Sequence, residues 1–325
     1  MGVFITAEGV RTPQGPSVGE VLAWATALLT SAGVESPRLD AECLLASLLG
    51  CDRLHLYAVG DGPLPSRVLD GYRTLIARRH RREPLAYLTG TKEFWSLPLQ
   101  VTPAVLIPRP ETEVLVETAL TRLTGRQAPV AADIGCGSGA IAVAIAKTYP
   151  CARIYATEMS RRALAIAREN AGAHKLLGVI TFLQGDLLEP LFARGLAGRC
   201  DVIVSNPPYV TRGELAALPP EVHYEPVEAL DGGVDGLDLH RRIIRGTSAL
   251  LRPGGWLALE MAPGQGGSLA GLLRDEGTFT DVASVPDLSG RQRVIVARCM
   301  GPGGRGHNAS GASADTGTAW GIHGA

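Results

Sequence analysis

Ala132-Asp133-Ile134-Gly135-Cys136-Gly137-Ser138-Gly139 is the stretch that decides the fold. It lies between a short apolar run, Val130–Ile134, and an alanine- and isoleucine-rich run over 140–148 with the composition of a buried helix. Glycines at such a turn let the backbone bend sharply and approach a ligand closely, and a helix N-terminus offers free N–H groups to an anionic group. The spacing is G-x-G-x-G, one position short of the dinucleotide-binding G-x-G-x-x-G. Outward from this turn the chain alternates strand and helix. Further strands are predicted over 153–158, 179–184, 201–205, 256–260, 282–286 and 293–298, with helices over 160–171, 237–251 and 267–274. Such alternation predicts a largely parallel sheet covered on both faces. No helix separates the last two strands, so they should form an antiparallel hairpin at one edge.

Two acidic residues fall at successive strand ends. Glu158 closes the second strand, where a carboxylate can accept hydrogen bonds from both ribose hydroxyls. Gly185-Asp186 follows the third, where a carboxylate can accept from an adenine amino group. Together with the glycine turn they point to an adenosine-containing cofactor.

The chain has 325 residues, which suggests about two domains. Its 31 Lys+Arg against 32 Asp+Glu exclude a generally basic nucleic-acid coat. Apolar runs are too short for a membrane span, and no signal peptide is apparent. Met1-Gly2 with Thr6 fits the loose myristoylation pattern only weakly, and the Asn308-Ala309-Ser310 sequon gains no support from an apparently unexported chain. Six scattered cysteines, with no C-x-x-C pair, read as reduced and mostly buried thiols of a cytoplasmic protein without a metal site.

The first eighty or so residues read as helices. Ser17 and Glu20 form a capping box ahead of an apolar run over 18–29. Ser36 is the expected N-cap of a second helix with Pro37 at its first position, Gly50 at its end, and Leu39, Cys43, Leu44, Leu48 and Leu49 at helical spacing. A third helix spans 66–82, with Val68, Leu69, Tyr72, Leu75 and Ile76 on one face. Arg78, Arg79, Arg81 and Arg82 end it, either as cations offsetting a helix C-terminus or as a docking patch for a partner. Residues 84–110 suggest a hairpin linker of short β-type runs broken by Gly90, Pro98 and Pro103. After residue 300 a Gly/Ser/Ala-rich tail, 301–325, is expected to be disordered.

Ser205-Asn206-Pro207-Pro208-Tyr209 follows the fourth strand. Two prolines fix the backbone and remove two N–H donors. The Asn206 side-chain oxygen and a proline carbonyl can then accept both hydrogens of a planar –NH2 group, with Tyr209 as an aromatic wall. An amide nitrogen is a poor nucleophile, because its lone pair is delocalised into the carbonyl. Polarising both N–H bonds returns density to nitrogen while the site aligns it with an electrophilic methyl.

With these residues the chain resembles class I S-adenosylmethionine-dependent methyltransferases, and among them the release-factor glutamine N5-methyltransferases (the PrmC/HemK family). The likeness runs to about Met300. It includes Arg82-Glu83-Pro84-Leu85-Ala86-Tyr87-Leu88-Thr89-Gly90, Lys92-Glu93-Phe94-Trp95, the block from Val105 to Glu113, Glu225-Pro226 and Gly290-Arg291 with Arg293. The resemblance implies an α/β fold: a small helical domain over 1–83 that recognises the release factor, the linker over 84–110, and a seven-stranded Rossmann-like methyltransferase domain over 111–300. It implies that Gly135, Cys136, Gly137, Ser138, Gly139, Glu158, Asp186, Leu187 and Asn206 hold S-adenosyl-L-methionine without a metal. It implies further that Asn206, Pro207, Pro208 and Tyr209 grip the glutamine of a Gly-Gly-Gln motif in class 1 peptide chain release factors, with Asn206, Pro207 and Tyr209 catalytic. Pro108–Glu113 would lie near the methionine end. Glu158 departs from the more frequent Asp, and Met261-Ala262-Pro263 from a more usual Ile-Gly pair.

Three other functions compete. An adenine-N6 nucleic-acid methyltransferase could use the same Asn-Pro-Pro-Tyr, but would need a basic region to hold a flipped base. A nicotinamide-dependent dehydrogenase is disfavoured by the glycine spacing. A binding module without catalysis would leave Asn206–Tyr209 unexplained.

Overall fold

The computed structural model describes residues 15–58 and 63–301. Met1-Gly2, Thr6, the Asn308 sequon and the tail expectation for 302–325 lie outside the described residues. Helix α1 (Val18–Ser31) starts at the expected capping box: the Ser17 hydroxyl accepts from the Glu20 N–H and the Glu20 carboxylate accepts from the Ser17 N–H. Helix α2 (Pro37–Leu49) ends at Gly50, whose φ of 64° is the left-handed conformation glycine adopts without strain. Ser36 does not cap it with its side chain: at φ −124° and ψ 64° its backbone lies outside the extended region from which an N-cap hydroxyl reaches the first turn. The buried face of α2 is Ala41, Leu44 and Leu45, whereas Leu39 and Leu48 are exposed. A short helix α3 (Arg53–Ala58) follows, then α4 (Ser66–His80), which buries Leu69, Tyr72 and Ile76 against α1 and α2. The Tyr72 hydroxyl donates to the Ala41 carbonyl at 3.0 Å, so this ring is buried without an orphaned polar atom.

Between 84 and 110 the chain departs from an all-β linker. Leu85–Thr89 is a helix, α5, closed by left-handed Gly90. Pro84 supplies a fixed φ of −56° at its start. The hairpin is confined to β1 (Thr91–Phe94) and β2 (Leu97–Gln100), and Trp95 and Ser96 both turn at φ 55°. Two consecutive left-handed residues give the turn whose twist matches a hairpin. Glu113, at the start of α6 (Glu113–Leu123), accepts the Trp95 N–H at 2.8 Å and fixes the hairpin to the larger layer.

That layer alternates as expected: β3 (Val130–Ile134), α7 (Ala140–Thr148), β4 (Arg153–Glu158), α8 (Arg161–Ala173), β5 (Ile180–Gln184), α9 (Glu189–Ala193), β6 (Cys200–Ser205), α10 (Asp238–Leu250), β7 (Leu251–Glu260), α11 (Gly266–Asp275), β8 (Phe279–Pro286) and β9 (Gln292–Cys299). The strand order is β5-β4-β3-β6-β7-β9-β8, parallel through β7, with β9 antiparallel to both its neighbours. Side chains alternate between two cores. Val202, Val204, Ala258, Val294 and Val296 face α6, α7 and α8, while Ile203, Leu257, Leu259 and Ile295 face α9, α10 and α11. The strand order reverses at β3, with β4 on one side and β6 on the other. Ile134 pairs with Ser205, so the chain leaves β3 and β6 side by side. Such a reversal opens a crevice at the strand ends, the usual ligand site of these sheets.

Among the described residues no helix is long and apolar enough to cross a membrane. All six cysteines are free; Cys136, Cys200 and Cys299 are buried, Cys43 and Cys51 half-buried, and Cys151 exposed.

Candidate active site

A cleft of ≈ 520 Å³ occupies this crevice. Gly135, Cys136, Gly137, Ser138, Glu158, Asp186, Leu187, Asn206, Pro207 and Pro208 all line it, so residues scattered over 135–208 meet at one place. Two expected residues are not on its wall. Gly139 caps α7 at φ 79°, and a Cβ there would approach Ala167 at 3.1 Å, so it serves close packing of α7 on α8. Tyr209 sits behind Asn206–Pro208 with its hydroxyl 3.4 Å from Glu260 Oε1, and burial pushes its phenol well above the ordinary value.

The glycine turn commits most of its own N–H groups within the protein. Gly135 and Cys136 both donate to the Thr157 carbonyl at 2.9 Å, Gly139 donates to the Cys136 carbonyl, and Gly137 donates to Glu158 Oε2 at 3.0 Å. The reason is tertiary: β4 runs beside β3 and places Thr157 and Glu158 against the turn. The turn therefore presents backbone surface to a ligand, with few donors left for a phosphate. Glu158 is doubly tied, since its Oε1 also accepts the Ser160 N–H at 2.8 Å. A carboxylate has about four acceptor sites, so two remain for a ligand.

At the neighbouring strand end, where Gly185 donates to the Glu158 carbonyl, Asp186 accepts from Arg242 of α10 at 2.5 Å. Arg109 pairs with buried Glu225, whose other oxygen accepts the Ile107 N–H at 2.9 Å and so holds the 105–113 strap over the cleft. Thr112, in the 3-10 turn before α6, accepts from Asn206 Nδ2 at 3.2 Å. With its nitrogen engaged there, the Asn206 amide keeps Oδ1 as its uncommitted group. Gln265 steadies the same segment by donating to the carbonyls of Tyr209 and Gly236.

Sequence reasoning did not single out Arg242, Gln265 or Glu260. Arg242 and Gln265 sit in an ordinary helix and a loop, where nothing in their spacing marks them. Glu260 had a usable signal, because it closes a strand as Glu158 does. Its side chain is fully buried, and burial raises its pKa to about 7. Asp133, beneath the glycine turn, is likewise buried and raised to about 7; its Oδ2 accepts the Ala142 N–H, and Oδ1 has no partner. No group of three or more His, Cys, Asp or Glu among the described residues is arranged to hold a metal.

Known proteins match this chain along most of its length. The PrmC N-terminal domain family matches residues 20–90 and the methyltransferase small domain family residues 110–218. The release factor glutamine methyltransferase of Geobacter sulfurreducens is 46% identical over 290 residues, covering 88% of this chain and 98% of that protein. That of Moorella thermoacetica is 45% identical over 278 residues, covering 86% and 97%. Among solved structures, the hMettl16 catalytic domain in complex with the MAT2A 3′UTR hairpin 1 superposes with a TM-score of 0.51 at 17% identity, over 71% of this chain and 80% of that one. That likeness is one of fold. Identity of this level across nearly whole sequences is a statement of descent, and the chain belongs to the release factor glutamine methyltransferase family.

Proposed function

We propose that this protein transfers a methyl group from S-adenosyl-L-methionine to the side-chain amide nitrogen of the glutamine in the Gly-Gly-Gln motif of class 1 peptide chain release factors. The observation that carries the reading is the orientation of Asn206: its nitrogen donates to Thr112, leaving a carbonyl oxygen to accept from a substrate –NH2. The residues present fit the cofactor. Glu158 keeps acceptor capacity for a ribose diol, and Asp186 and Leu187, which line the same cleft, would take the adenine. The committed N–H groups of Gly135, Cys136 and Gly137 suit a ligand without phosphates better than a dinucleotide. When bound, the cofactor supplies an electrophilic sulfonium methyl.

Asn206 Oδ1 and a carbonyl of Pro207 or Pro208 accept the two hydrogens of the glutamine amide and hold its nitrogen in line. Holding reactants in this way removes much of the entropic barrier. No strong base is needed beforehand, because the amide proton becomes acidic once nitrogen carries the methyl. Tyr209 backs the turn from behind, and its hydroxyl points to Glu260.

In this reading residues 1–83 recognise the folded release factor, 84–110 connect, and 111–300 carry out the transfer in the cytoplasm without metal, membrane or nucleic acid. The internal pairing of Arg78, Arg79 and Arg82 supports a protein partner over a nucleic acid, since it leaves less free positive charge on the helical region. Incubation with labelled methyl donor and purified release factor, followed by peptide mapping, tests the function. Label on the Gly-Gly-Gln glutamine is expected. Label on adenine of added nucleic acid, and none on glutamine, would overturn it.

A further inference from the structure

Pro207 and Pro208 have fixed φ angles and no N–H of their own, so the arm that carries their carbonyls can be aimed only from its two ends. One end is firm. Ser205 closes β6 between Ile134 of β3 and Leu259 of β7, and its hydroxyl donates to the Ile134 carbonyl at 2.7 Å. The other end leaves the sheet, and there two distant segments hold the chain. The Tyr209 carbonyl accepts from Gln265 Nε2 at 3.2 Å. Val210, next to it, donates to the Leu230 carbonyl at 3.0 Å and accepts from the Gly232 N–H at 2.8 Å.

Gln265 stands at the N-cap of α11, where a short polar side chain ordinarily caps the helix, yet its side chain makes no cap bond. Its amide is spent on three segments instead. Oε1 accepts the Ala262 N–H at 2.9 Å, and Nε2 donates to the carbonyls of Tyr209 and Gly236 at 3.2 and 3.3 Å. One donor and two acceptors around the group fix which way the amide points. Backbone fills the space about these bonds. A Cβ on Gly236, at φ 75°, would lie 2.6 Å from Gln265 Nε2 and closer still to the Tyr209 carbonyl oxygen. A Cβ on Gly232 would lie 2.8 Å from the Tyr209 Cα. Tyr209 is therefore fixed both in the place of its Cα and in the direction of its carbonyl.

We propose that Gln265 is a positioning residue for methyl transfer: by holding the Tyr209 carbonyl against the Gly232–Gly236 loop, it aims the prolyl carbonyl of the Asn206–Tyr209 turn at the substrate amide. The inference rests on the reading of that prolyl carbonyl as the second acceptor of the glutamine –NH2. Only the two soft torsions of Tyr209 lie between its carbonyl and that of Pro208. Released from Gln265, the Tyr209 carbonyl can turn, the prolyl carbonyl shifts with it, and one hydrogen of the –NH2 loses its acceptor. Glu158 and the glycine turn share no bond with Gln265, so the cofactor side of the cleft keeps its shape.

The test is single-turnover methylation across a range of release-factor concentrations, with cofactor calorimetry and melting on the same preparations. It is run with wild type, Gln265→Glu, Gln265→Ala, Gly236→Ala and the Gln265→Glu/Asn206→Ala double variant. Gln265→Glu is the sharpest, because it keeps the shape and the acceptor for Ala262 but, ionised, has no donor for the Tyr209 carbonyl. Its maximal rate should fall by between about tenfold and a hundredfold, the cost of a small misplacement, with the half-saturating release-factor concentration and cofactor affinity unchanged. Gln265→Ala and Gly236→Ala should show the same split. In the double variant the second loss should be much smaller than the first, since both changes free the same nitrogen to rotate. If Gly236→Ala folds poorly, the two Gln265 variants decide. A structural staple alone would lower the melting temperature and leave the maximal rate per folded molecule at the wild-type value. That result, a fall in cofactor affinity equal to the fall in rate, or fully multiplicative losses in the double variant overturns the proposal. Absence of glutamine methylation by wild type is a different result and sinks the function itself.

Discussion

Arg82 and Glu221 lie 139 residues apart in the chain and meet through two hydrogen bonds, Nε to Oε1 at 2.6 Å and Nη2 to Oε2 at 2.8 Å. Glu221 also accepts from Arg79, which is buried and pairs at its other end with Asp40 of α2. Arg82 Nη1 meanwhile donates to the carbonyls of Ala32 and Gly33 after α1. The basic run that ends α4 is thus spent largely inside the molecule, fastening the helical region to the segment that follows Tyr209. Of its arginines, Arg81 is exposed and has no ion pair among the described residues.

Glu221→Ala should therefore lower stability by about 1–3 kcal/mol, between the values for exposed and buried ion pairs. Burial opposes the charged form of Glu221, but Arg82 and Arg79 outweigh it and its pKa is lowered. The sign follows: the contribution is present above the ordinary carboxylate range and is lost as pH falls through the folded-state value. Melting of wild type and variant at neutral and acid pH checks this, with the two curves converging in acid. If release-factor recognition uses the helical region, methylation of intact release factor should fall more than cofactor affinity.

Glu158→Ala should weaken cofactor binding by about 1–3 kcal/mol, the range for hydrogen bonds to a charged group. Part of that loss belongs to the protein itself, because the variant also frees the N–H groups of Gly137 and Ser160. Glu158→Gln keeps an acceptor but puts an –NH2 against one of those donors, and should recover only part of the affinity. Calorimetry resolves the series; equal affinity in all three proteins would show that another residue holds the ribose.

Asp133 makes a prediction of opposite sign to Glu221. Its folded-state pKa is raised to about 7 by burial, well above the unfolded value. Its contribution is fully present below the unfolded pKa and is lost as pH rises toward about 7. Asp133→Asn keeps an oxygen for the Ala142 N–H and has no charge to bury. The melting temperature of the variant relative to wild type should rise between about pH 4 and 7 and then level off. A difference independent of pH would mean that Asp133 does not titrate in this range.

The strands were legible because doubly covered strands are short, mostly apolar runs at regular spacing, and the observed bounds of Val130–Ile134 and Arg153–Glu158 coincide with the expected ones. Where bounds moved, the cause is local. Strand β7 begins at Leu251 and not Trp256, since a register shift against β6 between Cys200 and Val202 absorbs Pro253-Gly254-Gly255. Strand β8 reaches back to Phe279 across a shift between Thr280 and Ala283, with Asp281 at φ 51°. Helix α5 escaped notice because five residues show no period. At the site, the residues that project from strand ends were legible from spacing. What held them was not. The bonds of Glu158 to the glycine turn, Thr112 to Asn206 and Glu221 to Arg82 are set by which strands and helices become neighbours, which the local pattern does not contain.

Asn206 gives the sharpest test of the chemistry. Its Oδ1 accepts one hydrogen of the glutamine –NH2 while a proline carbonyl accepts the other, and loss of the acceptor frees the nucleophile to rotate. Asn206→Ala should lower kcat by about 10²–10³, similar to losing one preorganised polar contact. Cofactor affinity should change little, because Glu158, Asp186 and the glycine turn are untouched. Asn206→Asp is the discriminating partner: it keeps the acceptor but loses the –NH2 that donates to Thr112 and adds a charge to the turn. It should therefore retain more activity than alanine, with a rate that falls at low pH as the new carboxylate is protonated. If Asn206 only shapes the turn before Pro207, both variants would melt earlier yet transfer methyl at the wild-type rate per folded molecule. Melting, cofactor calorimetry and single-turnover methylation on one preparation separate the two cases, and a folded, cofactor-binding Asn206→Ala at full rate would remove the residue from the mechanism.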